Sequence, residues 1–351
     1  MQRRCLRWIR NVLVLSLAGC APLGPSSINW ARTQYNQAVQ QTEAQQLLLN
    51  IVRQRFNDPV MFLDVTNISS TTIRSANFNL STFMPTGGAA NSVSSGVGGT
   101  WTETPLIFYA PNTGEKFVRQ ILSPLDLKTL SLLLQSGWSI ERVLMVAGEA
   151  INGIRNSIAG PDARGYATYR ELISALRDLQ RDGRLTASMS AAGDALELTP
   201  TPEARASSAY QTVCKILVLV GDGAPIRLKL GIGAAPAGSA TVTLTTRSLY
   251  AAFYFLSDGV EVPTDDLTRG VVQRRSVAGG PFDGGGELFH IRTSTDEPSS
   301  ATVKVLYRGA WYYVSETDTD TKTTFALMSM MLMLQGGDPA RMQPLVSVGS
   351  G

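Results

Sequence analysis

Residues 168–199 read TYRELISALRDLQRDGRLTASMSAAGDALELT, and within this stretch a helical period gives way to an alternating one. Tyr169, Leu172, Ile173, Leu176 and Leu179 recur at three- and four-residue steps, which predicts a helix with one apolar stripe facing a core. Thr168 with Glu171 three residues on forms a capping box for that helix. Gly183 is its stop, because glycine enters the left-handed region without a Cβ penalty. Leu185 to Met189 and Ala195 to Leu198 flank the turn Ala191-Ala192-Gly193-Asp194, the pattern of a β-hairpin. A strongly patterned helix beside a strand pair predicts an α+β fold.

Two more helices are expected upstream. Pro124 opens one that runs through Gln135, with Leu127, Leu130, Leu133 and Leu134 inside. Ser139-Ile140-Glu141-Arg142 begins the second, which extends to about Ile154 although Gly148 and Gly153 weaken its later turns. Three helices and a hairpin over residues 124–200 resemble a winged-helix domain in element order, with no diagnostic residue motif. Nucleic acid is not an expected partner. Arg170, Arg177 and Arg181 on the third helix are balanced by Glu171, Asp178 and Asp182, so no basic field faces a phosphate backbone. The resemblance here implies a protein-docking module.

The chain opens with Arg3, Arg4, Arg7 and Arg10, then a short apolar run from Val12 to Leu17, then Leu17-Ala18-Gly19-Cys20. Basic, apolar, then small residues is the order of an export signal, and the apolar run is too short to span a bilayer. Leu17 to Cys20 resembles the lipobox of bacterial lipoprotein precursors, a resemblance confined to residues 1–21. It implies cleavage of the 1–19 signal peptide between Gly19 and Cys20, with palmitate-type lipid on the Cys20 thiol and its new amino group. Ala21 follows where an aspartate would mark inner-membrane retention, so the implied location is the outer membrane, facing the periplasm. The charge balance shifts accordingly. Of 31 basic side chains four leave with the leader, so the remaining chain is near −1 and no polyanionic partner is implied.

Residues 20–28 form the lipidated tether. A helix is expected from Asn29 to Phe56, with Ala31, Tyr35, Ala38, Thr42, Leu49, Val52 and Phe56 on one side. Its glutamine-rich front stands in water, and its back, Leu47 to Val52, docks. Met61 to Thr66 alternates as a strand. Ala76, Phe78, Leu80, Thr82 and Met84 then alternate with Asn77, Asn79 and Ser81, and Val93, Val97 and Trp101 with small polar residues. Two such segments of about ten residues meet the length of a membrane β-strand. One reading is a hairpin lent by each subunit to a shared barrel; the other is a glycine-rich hairpin on a soluble surface. Pro105 to Ala110 is another strand, completing a helix-plus-hairpin region over 29–123. Gly114 and Lys116 lack the Gly-Lys-Ser/Thr half of a phosphate loop.

A mixed α+β domain is expected over 209–337, followed by a tail, 338–351. Val213 to Val220 is a buried strand that holds Cys214; Ile226 to Ile232 and Thr241 to Thr245 are further strands. Ser248 to Ser257 is a helix whose Tyr250, Phe253, Tyr254 and Phe255 serve the core rather than a ligand groove. Ala301 to Tyr307 and Trp311 to Ser315 form a hairpin. Glu316, Asp318 and Asp320 lack an EF-hand's glycine and distal glutamate, so they mark a helix start, with Thr319 or Asp320 as cap. That helix, rich in methionine from Met328 to Met333, is expected to be the central core helix, the alternative being a helix partly covered by another subunit.

Chemistry is sparse. His290 is the only histidine, and once Cys5 leaves and Cys20 is acylated Cys214 is the only thiol. No metal site, cofactor loop or catalytic residue stands out, so no enzyme is expected. The favoured role is structural or protein-interacting in the cell envelope, through the bilayer at Cys20 and an envelope protein or further copies of the chain. Alternatives are a subunit of an oligomeric channel or secretion complex contributing a hairpin near 76–103, and an envelope-active hydrolase.

Overall fold

The computed structural model describes residues 24–83, 92–111, 114–157, 163–272 and 288–335. Gly19, Cys20 and the expected tail lie outside these residues. The fold is α+β. One hydrophobic cluster runs from Leu47 near the start to Met331 near the end.

Helix α1 spans Gly24–Arg55, so the backbone is already helical inside the expected tether. Its glutamine-rich stretch is exposed and its back half is buried, as the composition predicts. The expected stripe holds at its end, where Val52 and Phe56 are buried, but Ala38 and Thr42 face solvent, and the buried side widens to Leu47, Leu48 and Ile51. The dense apolar run outweighs the sparse periodicity of the glutamine-rich part. Asn57 turns the chain with a positive φ of 58°. Strands β1, Leu63–Phe83, and β2, Ser92–Pro111, come next and pair only with each other.

The centre is a six-stranded mixed sheet with helices α2 (Glu115–Leu122), α3 (Leu127–Gln135), α4 (Ile140–Ala147) and α5 (Ala163–Arg181) nearby in the chain. Its strands are β3 (Gly148–Ile151), β4 (Ile154–Arg155), β5 (Leu185–Met189), β6 (Leu196–Pro200), β7 (Ile226–Leu230) and β8 (Thr241–Thr246). Their order is β4-β3-β8-β7-β6-β5, with only β7 and β8 parallel. The 185–200 hairpin is thus one edge of a larger sheet rather than a free wing. The 200/209 boundary falls within this sheet, since β6 pairs with β7.

Three of these helices differ from their expected spans. Helix α3 starts at Leu127 behind Asp126, whose side chain accepts from the Thr129 N–H, rather than at Pro124. Helix α5 begins at Ala163, so Thr168 lies inside it rather than at its start, while the stripe from Tyr169 to Leu179 is buried and Gly183 ends it with φ 68°. Helix α4 stops at Ala147 instead of reaching Ile154. Asn152 and Gly153, with φ of 51° and 81°, make the tight turn between β3 and β4. Gly148 is required where it stands, because a Cβ there would collide with the Tyr169 hydroxyl and the Leu144 carbonyl.

The end of α4 is closed by side chains from elsewhere. The last four carbonyls of a helix lack intrahelical partners. Here the Tyr169 hydroxyl donates to Leu144 O at 2.8 Å and Asn156 Nδ2 to Met145 O at 2.8 Å. Arg247 donates from Nη1 to Met145 O and Val146 O, each at 3.2 Å, and its backbone N–H reaches Ala147 O at 2.7 Å. The same guanidinium bonds Gly148 O and Asn156 O and lies 3.9 Å from the Phe255 ring centroid. Burial pulls its pKa down to about 10, so it is still charged at neutral pH, and the negative end of the α4 dipole favours that charge.

The remaining elements are α6 (Ser208–Leu217), α7 (Leu249–Leu256), the short α8 (Thr264–Thr268), the sheet β10-β11-β9 and α9 (Thr319–Gln335). The sheet comprises β9 (Arg292–Ser294), β10 (Ala301–Tyr307) and β11 (Ala310–Ser315). Arg308 and Gly309, both with positive φ, make the expected β10–β11 turn. Helix α9 buries one face through Phe325, Leu327, Met328 and Met331, but Met330, Met333 and Leu334 are exposed, so it is a surface helix rather than a central one.

Arg247→Ala is expected to lower unfolding free energy by about 3–5 kcal/mol, since it strands buried carbonyls. Urea denaturation should show a lower midpoint; an unchanged midpoint would mean that water replaces the guanidinium without cost.

Candidate functional site

The most distinctive feature for function is the β1–β2 arm. The expected short strands at 61–66, 76–84, 93–101 and 105–110 are parts of one antiparallel hairpin, whose strands are 21 and 20 residues long. Its register runs from Leu63 opposite Pro111 to Phe83 opposite Ser92, with one irregularity between Val65 and Asn67. At about 3.3 Å per residue such a strand is on the order of 66 Å long. Among the described residues neither outer edge is paired. Two strands alone are marginally stable in water, and free edges are templates for further pairing.

The root of the arm is built with care. Asn50 is fully buried, and its side-chain amide makes two bonds to Met61, donating to the carbonyl at 2.8 Å and accepting from the N–H at 3.0 Å. One turn earlier, Gln46 does the same for Leu63, at 3.2 and 2.6 Å. Two amides four residues apart on α1 thereby replace a neighbouring strand. Between these clamps Phe62 is buried, with its ring 5.7 Å from both Phe117 and Phe253. On the other side Asp58 accepts from Tyr307 Oη and, at 3.0 Å, from Arg308 Nη1, while Phe56 packs edge-on to Tyr307 and Tyr312. The root is therefore held by α1, α2, α7 and the β10–β11 turn. Sequence reasoning noted the glutamines but missed this role. The available signal was the amide pair Gln46 and Asn50 straddling the apolar run that docks α1.

The pairing order gives the arm a direction. As the chain advances from Met61 to Leu63, its partner on α1 steps back from Asn50 to Gln46. The arm thus leaves antiparallel to α1, toward that helix's N-terminal end.

The other singled-out residues lie apart from this root or serve the fold. Cys214 sits on α6, not on a buried strand, because Ser207 caps a helix by accepting from the Tyr210 N–H at 3.2 Å. The thiol is half-buried and burial raises its pKa, which is opposite to the activation of a nucleophile. His290 Nε2 lies 2.8 Å from Glu261 Oε1. Burial raises the Glu261 pKa, but the bonds from His290 and the Thr293 N–H outweigh it, leaving the carboxyl below its ordinary value. Phe253 and Phe255 are core residues, whereas Tyr250 and Tyr254 are exposed. Asp318 caps α9, accepting from the Thr321 N–H at 3.0 Å, in place of the expected Thr319 or Asp320. Asp320 instead binds Arg142 at 2.8 Å. Among the described residues no group of three or more His, Cys, Asp or Glu could hold a metal ion. An open groove of about 310 Å³ lies between Leu134, Ile140 and Leu185, and the Gln180 amide in its wall is bonded to Trp138 O and Ile140 N.

No family model matches the chain, and no curated protein or solved structure matches it.

Replacing Asn50 with Ala removes two part-buried hydrogen bonds to the N–H and C=O of Met61, each worth about 0.5–1.5 kcal/mol. Hydrogen exchange should quicken at residues 60–64 while the six-stranded sheet keeps its protection. For the Glu261–His290 pair, a lowered carboxyl pKa stabilises the fold above its ordinary 4.5, and that contribution is lost as pH falls through the lower folded value. Glu261→Gln should remove this acid-side loss of stability in pH-dependent melting.

Proposed function

We propose that the protein is a lipid-anchored component of the bacterial outer membrane, facing the periplasm, whose role is assembly with other envelope polypeptides rather than chemistry on a substrate. The observation that carries this reading is the arm: two long strands whose outer edges are unpaired among the described residues. Strand addition at such an edge uses backbone hydrogen bonds for affinity and alternate side chains for specificity. The lipobox-like Leu17-Ala18-Gly19-Cys20 supplies the address. Acyl chains contribute about 0.8 kcal/mol per buried CH₂, and more than one chain gives lasting attachment. Among the described residues no helix is long and apolar enough to cross a membrane, so the anchor in this reading is the lipid.

A second reading, an oligomeric channel or secretion subunit, is favoured by the length of the arm and is developed below. The anchor is tested directly. Cells fed labelled palmitate should incorporate it into the wild-type chain and not into Cys20→Ser, and intact mass should place the mature N-terminus at Cys20. A leader still attached and an unmodified Cys20 thiol would overturn the location.

A further inference from the structure

We infer that the distal half of the arm crosses the lipid core, and that arms from further copies of this chain close it into a shared transmembrane β-barrel. This rests on the lipid-anchored reading above. The first observation is charge. From Ser75 to Thr102 the sequence has no Asp, Glu, Lys, Arg or His, and the run is bounded by Arg74 and Glu103. The register sets Arg74 opposite Trp101 and Thr72 opposite Glu103, so charge ends at one level on both strands. Trp101 stands at that level, where aromatic residues mark the border between lipid and water.

The second observation is the division of faces. Residues directly opposite each other in an antiparallel pair share a face. Ala76 opposite Gly99, Phe78 opposite Val97, Leu80 opposite Ser95 and Thr82 opposite Val93 make one face. Ser75 opposite Thr100, Asn77 opposite Gly98, Asn79 opposite Gly96 and Ser81 opposite Ser94 make the other, which is polar and small until Phe83 opposite Ser92 at the far end. An apolar outside and a polar inside is the alternation of a membrane barrel.

Third, the lengths agree. The uncharged part of β1, Ser75–Phe83, is about 30 Å long, which at a tilt of about 40° rises on the order of 23 Å and matches a barrel's apolar band of about 25 Å.

The occupant follows from the edges. In lipid no backbone group is left unpaired, so each arm requires a strand on both sides. The matching strands must be uncharged over the same length and enter from the same membrane face. Another copy, tethered through its own Cys20, meets all of these conditions, and rotational symmetry closes the ring without a free edge.

The test uses the full-length lipidated chain in a Cys214→Ser background, reconstituted in phospholipid vesicles. Single replacements Ala76→Cys, Phe78→Cys and Leu80→Cys on one face, and Asn77→Cys, Asn79→Cys and Ser81→Cys on the other, are treated with a membrane-impermeant maleimide. The polar-face sites should label at least tenfold faster than the apolar-face sites, and the detergent-extracted particle should have the mass of several subunits. Equal labelling at all six sites, or a monomeric particle, would overturn the barrel. Intact mass at Cys20 separates the two readings: a lipidated monomer refutes only the barrel, and an unlipidated oligomer with alternating labelling refutes only the anchor.

Discussion

A buried cation at a helix end organises the body of this protein. Helix α4 stops in the middle of the fold, where its last carbonyls are buried, and Arg247, Asn156 and Tyr169 converge there from three separate segments. The charged guanidinium is held by carbonyl oxygens and the face of Phe255. Its position also sets the sheet, because Arg247 directly follows β8 and its backbone continues the pairing to Ala147 and Leu125. A helix end, the central strands and the α7 core thus depend on one side chain.

The arm obeys the opposite logic. Every device at its root closes a hydrogen bond or buries a ring: the amides of Gln46 and Asn50, the wedge of Phe62, and Asp58 between Tyr307 and Arg308. Beyond Leu63 the two strands pair, among the described residues, only with each other. A long ladder with two open edges is an arrangement that calls for a partner, since unpaired backbone is costly wherever water is removed. The proposal of a membrane surface as the place where that partner is met rests on the lipobox resemblance and on the uncharged distal strands.

Legibility in the sequence tracked how local the deciding physics was. The α5 stripe from Tyr169 to Leu179, the hairpins at 185–200 and 301–315, and the Ser248 cap of α7 were readable because periodicity and turn chemistry act within a few residues. Cys214 misled because Val213 to Val220 is apolar enough for a strand, and only the Ser207 cap and the left-handed Val218 reveal a helix and its end. Thr168 and Glu171 mimicked a helix start inside a helix that had already begun. The Asn152-Gly153 turn was a signal passed over in favour of a longer α4. The root of the arm was hidden because side-chain amides bonding a distant backbone leave no periodic trace.

By itself the sequence determined the α+β class, the apolar stripes, the strand pair at the edge of the sheet and the absence of charge along the distal arm, because each follows from neighbours along the chain. Only the tertiary structure decided that residues 148–200 and 226–246 share one sheet, that α4 ends beneath Arg247, and that four strand-like segments form one continuous arm rooted on α1. Those outcomes depend on which polar groups find partners across long separations, and that is settled by packing rather than by local pattern.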